Sequence, residues 1–328
     1  MSKIRVASVF AGCGGADVGI IGGFTYLDRR YAYHEVSIVH ASDIDKHAVE
    51  TYNQNFKHKA IVADVMDIHL AKNTVDVLIG GFPCQSFSTV NPTKDPEDDR
   101  GQLYRELVRL AKEARPAVVI GENVKGFFSL KKGLYFRKFT AALDEAGYDV
   151  HHKVVGAHDF GVPQKRERIF IVAFRKDLKV DFRFPDPRLD KNRQPVRVPL
   201  GAVIESLTDV PSKYYFSERA VAGVKAAKPN MKRALAQSLD DPCLTITSHL
   251  AKASLNSRDP VLLVDKKREL YRRFTPKEAS MIQGFPDKFK WPESDIKAYR
   301  QIGNAISPVV MWHIFDAVKS ALTEVKER

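Results

Sequence analysis

The sequence predicts a doubly wound α/β domain followed by a smaller, irregular region. Short apolar runs alternate with amphipathic helical patterns from the amino terminus to Phe174, and the runs are continuously apolar. Continuous apolar strands separated by helices are typical of a parallel sheet that is covered on both faces. We therefore expect ligands at the carboxyl ends of the strands, where such sheets bind them.

Each predicted element has its own sequence signature. Apolar runs predict strands at 4–10, 36–45, 60–63, 75–82, 116–124 and 168–174. Apolar residues spaced by three and four predict helices at 46–56, 101–114 and 134–148, the last of which stops at Gly147. Beyond the last of these strands the patterns are weaker, with a helix predicted at 212–228 and a short strand or turn at 241–255.

The length and composition of the chain fit one large domain and a smaller one. With 328 residues, of which 44% are hydrophobic, the chain can bury a substantial core. No apolar run reaches membrane-spanning length, and the amino terminus lacks a signal-peptide layout. The cysteines Cys13, Cys84 and Cys243 form neither a disulfide framework nor a close zinc pair. We expect a cytoplasmic protein without a metal site.

The net charge of +12 is unevenly distributed along the chain. Residues 1–100 carry 10 Lys and Arg against 13 Asp and Glu, so the remaining 228 residues carry a net charge of +15. This pattern indicates a small-molecule pocket in the first part and a grip on a polyanion in the rest. A generally basic surface without such a partner explains the charge equally well.

A glycine-rich turn follows the first predicted strand. Gly12, Gly14 and Gly15 allow the backbone to approach a ligand, but Asp17 stands where the third glycine of a dinucleotide fingerprint would be. Asp43 ends the second strand, where it can bind ribose hydroxyls, and Asp64 can accept a hydrogen bond from an adenine amino group. This set suits a nucleoside ligand without a phosphate, such as S-adenosylmethionine. An ordinary tight turn with helix-capping acids is the alternative.

Two further strand ends, and the segment just before the last strand, carry residues with reactive or charged side chains. Cys84 follows Pro83 at the end of one strand, although a lone cysteine is most often a small buried hydrophobe. Glu122 ends the next strand as either a hydrogen-bonding acid or a helix cap. Arg166 and Arg168 alternate in an extended segment and can point the same way, unless they form a solvated basic edge.

Seven motifs in a fixed order resemble those of one enzyme family. They are FAGCGG (10–15), GGFPCQSFS (80–88), DRGQLY (99–104), ENV (122–124), QKRERIF (164–170), RRFTPKEASMIQGFPD (272–287) and QIGNAISP (301–308). In this order they resemble the DNA (cytosine-5) methyltransferases of bacterial and phage restriction-modification systems, with one gap at about 178–270. The resemblance implies a Rossmann-like methyltransferase domain that depends on S-adenosylmethionine, with a smaller, irregular target-recognition domain.

The resemblance implies covalent catalysis. Cys84 resembles the thiolate that adds to carbon 6 of cytosine and so activates carbon 5 toward the methyl group of the cofactor. Glu122 resembles the acid that binds ring nitrogen 3 and the exocyclic amine. Arg166 and Arg168 resemble the pair that holds the base carbonyl and favours the thiolate. The base that removes the proton from carbon 5 is not identified, and water can serve.

The resemblance implies S-adenosylmethionine as the cofactor. The residues that match the binding positions of the family are Phe10, Gly12, Gly14, Asp43, Ile44, Asp64, Val65, Pro83, Leu103, Asn304 and Ile306. Two positions depart from the family pattern, because Asp43 replaces a usual Glu and Ser307-Pro308 replaces a usual Pro-Pro. The cofactor contacts expected at Asn304 and Ile306 imply that the segment 307–322 folds back as a helix against the first strands.

The resemblance implies duplex DNA as the partner, with the target cytosine flipped out of the helix. The polar segment after Cys84 resembles the loop that closes over this nucleotide, with DNA contacts expected at Ser88, Arg100 and Thr245. The implied division of the chain is a catalytic and cofactor-binding domain at 1–178 and 296–328, a target-recognition domain at 179–270 and a hinge at 271–295. We expect a monomer, without a stable complex to any cognate restriction endonuclease.

Two other functions compete with DNA methylation. The related enzymes that methylate transfer RNA typically carry Pro-Pro-Cys and a late Cys-Phe-Thr, whereas this chain has Phe-Pro-Cys and no Cys-Phe-Thr. A nucleic-acid-binding module with an inactive methyltransferase fold would have lost Cys84, Glu122 or the arginines, and all are present. The sequence therefore favours a DNA cytosine-5 methyltransferase, and the DNA sequence that it recognises is not predicted.

Overall fold

A computed structural model describes residues 3–83, 103–187, 189–193, 195–225, 236–252 and 259–327. Its strands are β1 (Ile4–Val9), β2 (Phe24–Tyr26), β3 (Arg29–Tyr31), β4 (Val36–Asp43), β5 (Ile61–Val62), β6 (Val77–Gly80), β7 (Val118–Val124), β8 (Tyr148–Gly156), β9 (Gln164–Lys165), β10 (Glu167–Arg175), β11 (Cys243–Leu244), β12 (Leu262–Asp265) and β13 (Leu270–Arg272). Its helices are α1 (Gly15–Ile21), α2 (Lys46–Asn55), α3 (Tyr104–Ala114), α4 (Lys125–Ser129), α5 (Leu134–Glu145), α6 (Glu218–Lys225), α7 (Pro276–Gln283), α8 (Asp295–Asn304) and α9 (Pro308–Glu327).

A seven-stranded sheet with the order β5-β4-β1-β6-β7-β10-β8 forms the centre of the large domain. The strands from β5 to β7 are parallel, as expected from their continuous apolar sequences. By contrast, β10 is antiparallel to both of its neighbours, so the sheet is mixed at this end. The edge strand β8 was not among the predicted strands because its sequence, YDVHHKVVG, lacks a continuous apolar run.

Helices cover both faces of this sheet, which confirms the doubly wound fold. One core cluster joins apolar residues of the sheet to α1, α2 and α9, and a second joins the opposite face to α3, α4 and α5. The carboxy-terminal helix α9 packs against α1, as the predicted fold-back of 307–322 requires. Gly19 permits this contact, because a Cβ atom there would lie 2.5 Å from the carbonyl oxygen of Pro308.

A third core cluster lies outside the large sheet. It combines residues between Leu200 and Leu262 with Phe274 and with apolar residues of α7 and α8. The region after the last sheet strand therefore shares one core with the segment that leads into α8. Phe182, near the start of this region, instead packs on Phe174 of β10 at a ring-centroid distance of 5.2 Å.

A fully buried ion pair stabilises the start of α7. Arg272 donates two hydrogen bonds to the carboxylate of Glu278, at 2.8 and 2.7 Å, and both side chains are 0% exposed. The same guanidinium donates to the carbonyl oxygens of Ser206 and Leu207. Glu278 also accepts from the backbone N–H of Thr275 in a capping box. The pair thus connects α7 to the backbone of residues 206–207.

Within the described ranges, no helix combines the length and the apolar character that a membrane span requires. The longest of them, α9, carries Asp, Lys and Glu side chains along its 20 residues. Its apolar face packs into the first core cluster, where Val309, Met311 and Ile314 are buried.

We predict that Glu278→Ala lowers the free energy of unfolding by about 3–5 kcal/mol, because it leaves the Arg272 guanidinium buried without its counter-charge. Urea unfolding followed by circular dichroism measures the change. The neighbouring Lys277→Ala serves as the control, since Lys277 pairs with Glu205 and Asp287 on the surface and should cost at most about 1 kcal/mol. Equal losses in the two variants would contradict a special role for the buried pair.

Candidate active site

Residues selected from the sequence that the structure describes, including Gly12, Asp43 and Glu122, lie at one edge of the large sheet. The carboxyl ends of β1, β4, β6 and β7 lie at this edge because these strands are parallel. Since β10 runs the opposite way, it brings its amino end there, and Arg168 lies beside Val124 in the register. The motif QKRERIF leads into β10, whereas the other motifs follow their strands. The reversed direction of β10 explains why it nevertheless lies beside them.

The turn after β1 has a backbone that requires glycine. Gly12 and Gly14 have φ angles of 56° and 93°, and Phe10 is also left-handed at 54°. A Cβ atom on Gly14 would lie 2.3 Å from the ring of Phe56, whereas one on Gly12 would meet no atom within 4 Å. The turn is therefore packed tightly against α2 on one side and open at Gly12.

Asp43 binds this turn to the end of β4. Its Oδ2 atom accepts a hydrogen bond from the backbone N–H of Gly12 at 2.8 Å, and its Oδ1 atom accepts from that of Asp45 at 2.8 Å. Burial raises the pKa of Asp43, although the two backbone donors oppose this effect. Each carboxylate oxygen keeps a second lone pair, so the side chain can still accept from another donor.

Exposed apolar side chains lie next to this carboxylate. Ile44 is 70% exposed, although it directly follows a buried strand. Asp64 lies one short connection away, where its side chain accepts from the N–H of Met66 at 3.0 Å, and Val65 behind it is buried. An exposed aliphatic side chain beside hydrogen-bonding carboxylates suits a flat heterocycle.

The connection between α8 and α9 closes the other side of the turn. The carbonyl oxygen of Ile306 would lie 2.4 Å from a Cβ atom on Gly15, and its Cδ1 atom would lie 3.1 Å from one on Gly81. Ile306 is therefore inserted between the connections that follow β1 and β6. Asn304 is exposed at the end of α8.

Glu122 is the buried acid of the site. It is 8% exposed, and its Oε1 atom lies 3.3 Å from Nε of Arg168. Burial raises the pKa of Glu122, and the positive charges of Arg168 and Arg166 only partly offset this effect. The side chain therefore retains its proton to a higher pH than an exposed glutamate does.

The two arginines of the QKRER motif have different partners. Arg166 is buried and donates to the carbonyl oxygens of Ile246, Gly303 and Ala305 at 3.0–3.2 Å. Burial lowers the pKa of its guanidinium, and the nearby charge of Arg168 lowers it further. Arg166 thus ties the region after β11 to the α8–α9 connection, whereas Arg168 faces Glu122.

Two buried glutamines extend this network, and the sequence analysis gave them no role. Gln164 donates to the Oε1 atom of Gln283 at 2.8 Å and to the carbonyl oxygen of Ile282 at 3.0 Å, and it accepts from the N–H of Ile246. Gln283 in turn donates to the carbonyl oxygen of Ala305 at 2.6 Å. Gln164 belongs to the motif QKRERIF and Gln283 to RRFTPKEASMIQGFPD. A polar residue within the apolar stretch MIQGF indicates that Gln283 is buried with a hydrogen-bond partner.

Asn123 holds the connection that leads to Cys84. This buried side chain donates to the carbonyl oxygen of Phe82 at 3.1 Å and accepts from the N–H of Val124 at 2.8 Å. Pro83 and Leu103 are half-buried, and they are the described residues on either side of positions 84–102. Cys84, Ser88 and Arg100 lie outside the described residues.

The two cysteines that the structure describes are buried. Burial raises the pKa of the Cys13 thiol to about 12, and it also raises the pKa of Cys243. Neither thiol has the ionised, accessible character of a nucleophile. Thr245, two residues beyond Cys243, has a hydroxyl that donates to the carbonyl oxygen of Lys165 at 3.1 Å, so it lies beside the QKRER motif.

The comparisons with known proteins agree with this architecture. The family model for C-5 cytosine-specific DNA methylase matches residues 4–320. Type II methyltransferase M1.ScrFI of Lactococcus lactis subsp. cremoris is 33% identical over 99% of this chain and 80% of its own length. Type II methyltransferase M.NlaX of Neisseria lactamica is also 33% identical, over 99% of both chains.

Solved structures share the fold at lower sequence identity. A variant of Spodoptera frugiperda DNMT2 superimposes with a TM-score of 0.74 at 20% identity and covers 97% of this chain and 100% of its own. The S. pombe Dnmt2 methyltransferase gives a TM-score of 0.73 at 19% identity, covering 97% and 99%. At these identities the likeness supports the fold alone.

Asp17, in the first turn of α1, generates a pH-dependent prediction. It is 0% exposed, and burial raises its pKa to about 6. In the folded protein Asp17 therefore keeps its proton up to a higher pH than it does in the unfolded chain. The free energy of unfolding consequently falls as the pH rises from about 4 to about 6. We predict that Asp17→Asn stabilises the cofactor-free protein at pH 8 by about 3 kcal/mol, since two pKa units correspond to this energy.

Thermal unfolding of both proteins between pH 4 and pH 8 measures this effect. The difference between Asp17→Asn and the unmodified protein should grow as the pH rises and should level off above pH 6. Asp67→Asn changes an exposed carboxylate and is the matched control, for which the same pH series should show little change. A constant difference at every pH would contradict the raised pKa of Asp17.

Proposed function

Because this chain belongs to the C-5 cytosine-specific DNA methylase family, we propose that it methylates a flipped-out cytosine within a specific short duplex sequence through a covalent adduct of Cys84. The family transfers a methyl group to carbon 5 of cytosine in DNA, and its fold is that of the methyltransferases that depend on S-adenosylmethionine. The observation that carries the proposal is the pairing of the buried Glu122 with the half-buried Arg168, beside the connection to Cys84.

The edge formed by β1, β4 and β6 fits S-adenosylmethionine. Gly12 is open, with no atom within 4 Å of a Cβ position, which leaves room for a ligand against the backbone. The carboxylate of Asp43 would accept from the ribose hydroxyls, and Ile44 would lie against the adenine ring. When bound, the cofactor supplies an electrophilic methyl group. The other residues proposed to line this site are Phe10, Gly14, Asp64, Val65, Pro83, Leu103, Asn304 and Ile306.

Glu122 and Arg168 form the proposed cytosine pocket. The raised pKa of Glu122 favours the protonated acid, which can donate a hydrogen bond to ring nitrogen 3 of cytosine. As the thiolate of Cys84 bonds to carbon 6, the electron pair displaced from the ring moves toward that nitrogen, and the donated proton stabilises it. Arg168 would donate to the base carbonyl, and its charge would also favour the carboxylate once Glu122 has given up its proton.

The end of the reaction returns Cys84 to its free form. After carbon 5 is methylated, the proton on ring nitrogen 3 returns to the Glu122 carboxylate. A base then removes the carbon 5 proton, the carbon 5–carbon 6 double bond forms again, and the thiolate leaves with the electron pair of its carbon–sulfur bond. Arg166, the second proposed catalytic arginine, would favour the thiolate of Cys84 through its charge. Its hydrogen bonds to the carbonyl oxygens of Gly303 and Ala305 would position the α8–α9 connection that contributes Asn304 and Ile306 to the cofactor site.

We assign sequence recognition to the region outside the large sheet. The proposed division is a catalytic domain at 1–178 and 296–328, a recognition domain at 179–270 and a hinge at 271–295. It is supported by the third core cluster, which lies outside the large sheet and joins the recognition region to the hinge helix α7 and to α8. Ser88, Arg100 and Thr245 are the proposed phosphate contacts, and the protein would act as a monomer within a restriction-modification system.

Transfer of tritium from labelled S-adenosylmethionine to duplex DNA or to transfer RNA tests the proposed function. We expect label in mixed-sequence duplex DNA and none in transfer RNA. Bisulfite sequencing of DNA from cells that express the protein then identifies the methylated site. Label in transfer RNA alone would overturn the proposal in favour of the RNA-directed alternative.

We predict that Cys84→Ser abolishes methyl transfer while DNA and cofactor binding persist, because a hydroxyl is far less ionised than a thiol at neutral pH. Duplexes with 5-fluorocytosine at the target should form a denaturant-resistant adduct with the unmodified protein, since the proton that must leave carbon 5 is absent. Cys243→Ala removes a buried thiol and should still form the adduct. Turnover by Cys84→Ser above a few per cent would refute the covalent mechanism.

We predict that Asp43→Ala weakens cofactor binding by about 1.5–3 kcal/mol, because the cofactor can no longer donate a hydrogen bond to a charged acceptor. Calorimetric titration with the cofactor alone measures this change, and the rate at saturating cofactor should fall much less. Asp45→Asn is the matched control, because Asp45 caps α2 and Asn caps a helix equally well. Unchanged affinity in Asp43→Ala would place the ribose site elsewhere.

A further inference from the structure

The segment between Glu122 and Asp144 is strongly basic. Residues 123–143 contain five Lys or Arg side chains and no Asp or Glu. All five of these side chains are exposed. Lys125 pairs with Glu167 at 3.0 Å, which leaves Lys131, Lys132, Arg137 and Lys138. No carboxylate among the described residues lies within 4.0 Å of these four cations, which we call the α4–α5 basic surface.

The packing of α5 turns part of this surface outward. Tyr135, Phe136, Phe139 and Leu143 form the buried face of α5 against the second core cluster. Arg137 and Lys138 lie on the opposite, exposed face, together with Leu134. The amphipathic pattern therefore fixes the direction of these charges, because rotating the helix would expose its aromatic residues.

The connection from α4 to α5 presents the other two lysines in an unusual backbone conformation. Lys131 and Lys132 have φ angles of 46° and 56°, so two successive residues with side chains are left-handed, followed by Gly133 at 77°. This conformation is unfavourable for residues that carry a Cβ atom. The guanidinium of Arg137 donates to the carbonyl oxygen of Lys132 and so stabilises the connection. Such strain is concentrated at functional positions.

The basic surface lies close to the cytosine pocket. α4 begins directly after β7, whose end carries Glu122, and its five residues span about 7.5 Å. Phe127 of α4 packs against Phe82, with ring centroids 5.3 Å apart, and Phe82 directly precedes Pro83 and Cys84. A DNA strand whose base entered the pocket would carry one phosphate for about every 3.4 Å of helix axis, so several phosphates would lie within reach.

We propose that the α4–α5 basic surface binds phosphates of the duplex that flanks the target cytosine. The proposal rests on the proposed function, because it is the flipped cytosine that brings the duplex to this edge. The surface contributes affinity for any sequence, since lysine and arginine contacts to phosphate carry no base information. Its positive charge and position favour a nucleic-acid backbone. They do not favour a protein partner, because Phe128 and Leu134 are the only large apolar side chains that the structure describes as exposed on α4 and α5.

Fluorescence anisotropy with a mixed-sequence duplex of about 30 base pairs, at several salt concentrations between about 50 and 200 mM, tests the proposal. Lys131→Gln/Lys132→Gln should reduce the slope of log affinity against log salt by about 1–2, and affinity at about 0.1 M salt should fall about tenfold for each phosphate that is no longer bound. Arg137→Gln/Lys138→Gln should act in the same direction. The rate of methyl transfer at saturating DNA should stay within about twofold of that of the unmodified protein. The affinity for the cofactor should also change by no more than about twofold.

Lys72→Gln/Lys112→Gln is the matched control. Both lysines are exposed, and they lie at the opposite edge of the sheet, where the N–H of Asn73 donates to the carbonyl oxygen of Ala114 at 2.9 Å. This variant removes the same charge and should leave the salt slope unchanged.

Two outcomes would count against the proposal. Equal effects of the control and the test variants would show general electrostatics and overturn it. An unchanged slope in both test variants would do the same. If the unmodified protein methylates no duplex, the proposed function itself fails, and this result is distinguishable because it needs no variant.

Discussion

The site depends on a buried hydrogen-bonded joint built from Gln164, Arg166 and Gln283. The carbonyl oxygen of Ala305 accepts hydrogen bonds from both Arg166 and Gln283, while Gln164 binds α7 and the N–H of Ile246. Because buried polar groups are costly unless they are paired, these bonds strongly favour one arrangement of the joint. The joint thereby sets where the α8–α9 connection meets the glycine turn, and hence the position of Ile306.

The same joint determines the electrostatics of the pocket. The guanidinium of Arg166 donates to backbone carbonyls, so its charge is balanced by carbonyl dipoles and acts at longer range on Glu122. Arg168 lies closer to Glu122, at 3.3 Å, yet burial still raises the pKa of that acid. A neutral acid beside a fixed positive charge can donate a proton and then be stabilised as the anion, which suits proton sharing with a ring nitrogen.

Most of the fold could be predicted from the sequence, because buried parallel strands have continuous apolar runs and α2, α3 and α5 have clear periodicity. The reversed strand β10 could not, since an apolar run contains no information on direction. β8 was missed because an edge strand tolerates the polar residues His151 and His152. In the site, motif order predicted the edge at which the residues meet. It did not predict that Arg166 binds backbone carbonyls, because such partners come from segments distant in the sequence.

The distribution of charge can now be related to the architecture. The acidic first hundred residues include Asp43 and Asp64 at the proposed cofactor edge, where carboxylates can accept hydrogen bonds from a neutral nucleoside. Most of the excess positive charge lies beyond Glu122, starting with the segment in which the chain leaves the pocket and continues into α5. A cofactor that needs hydrogen-bond acceptors and a polyanion that needs cations would thus meet different parts of one sheet edge. The boundary between them would be the proposed cytosine pocket, where the buried Glu122 lies beside Arg168 and feels the charge of Arg166.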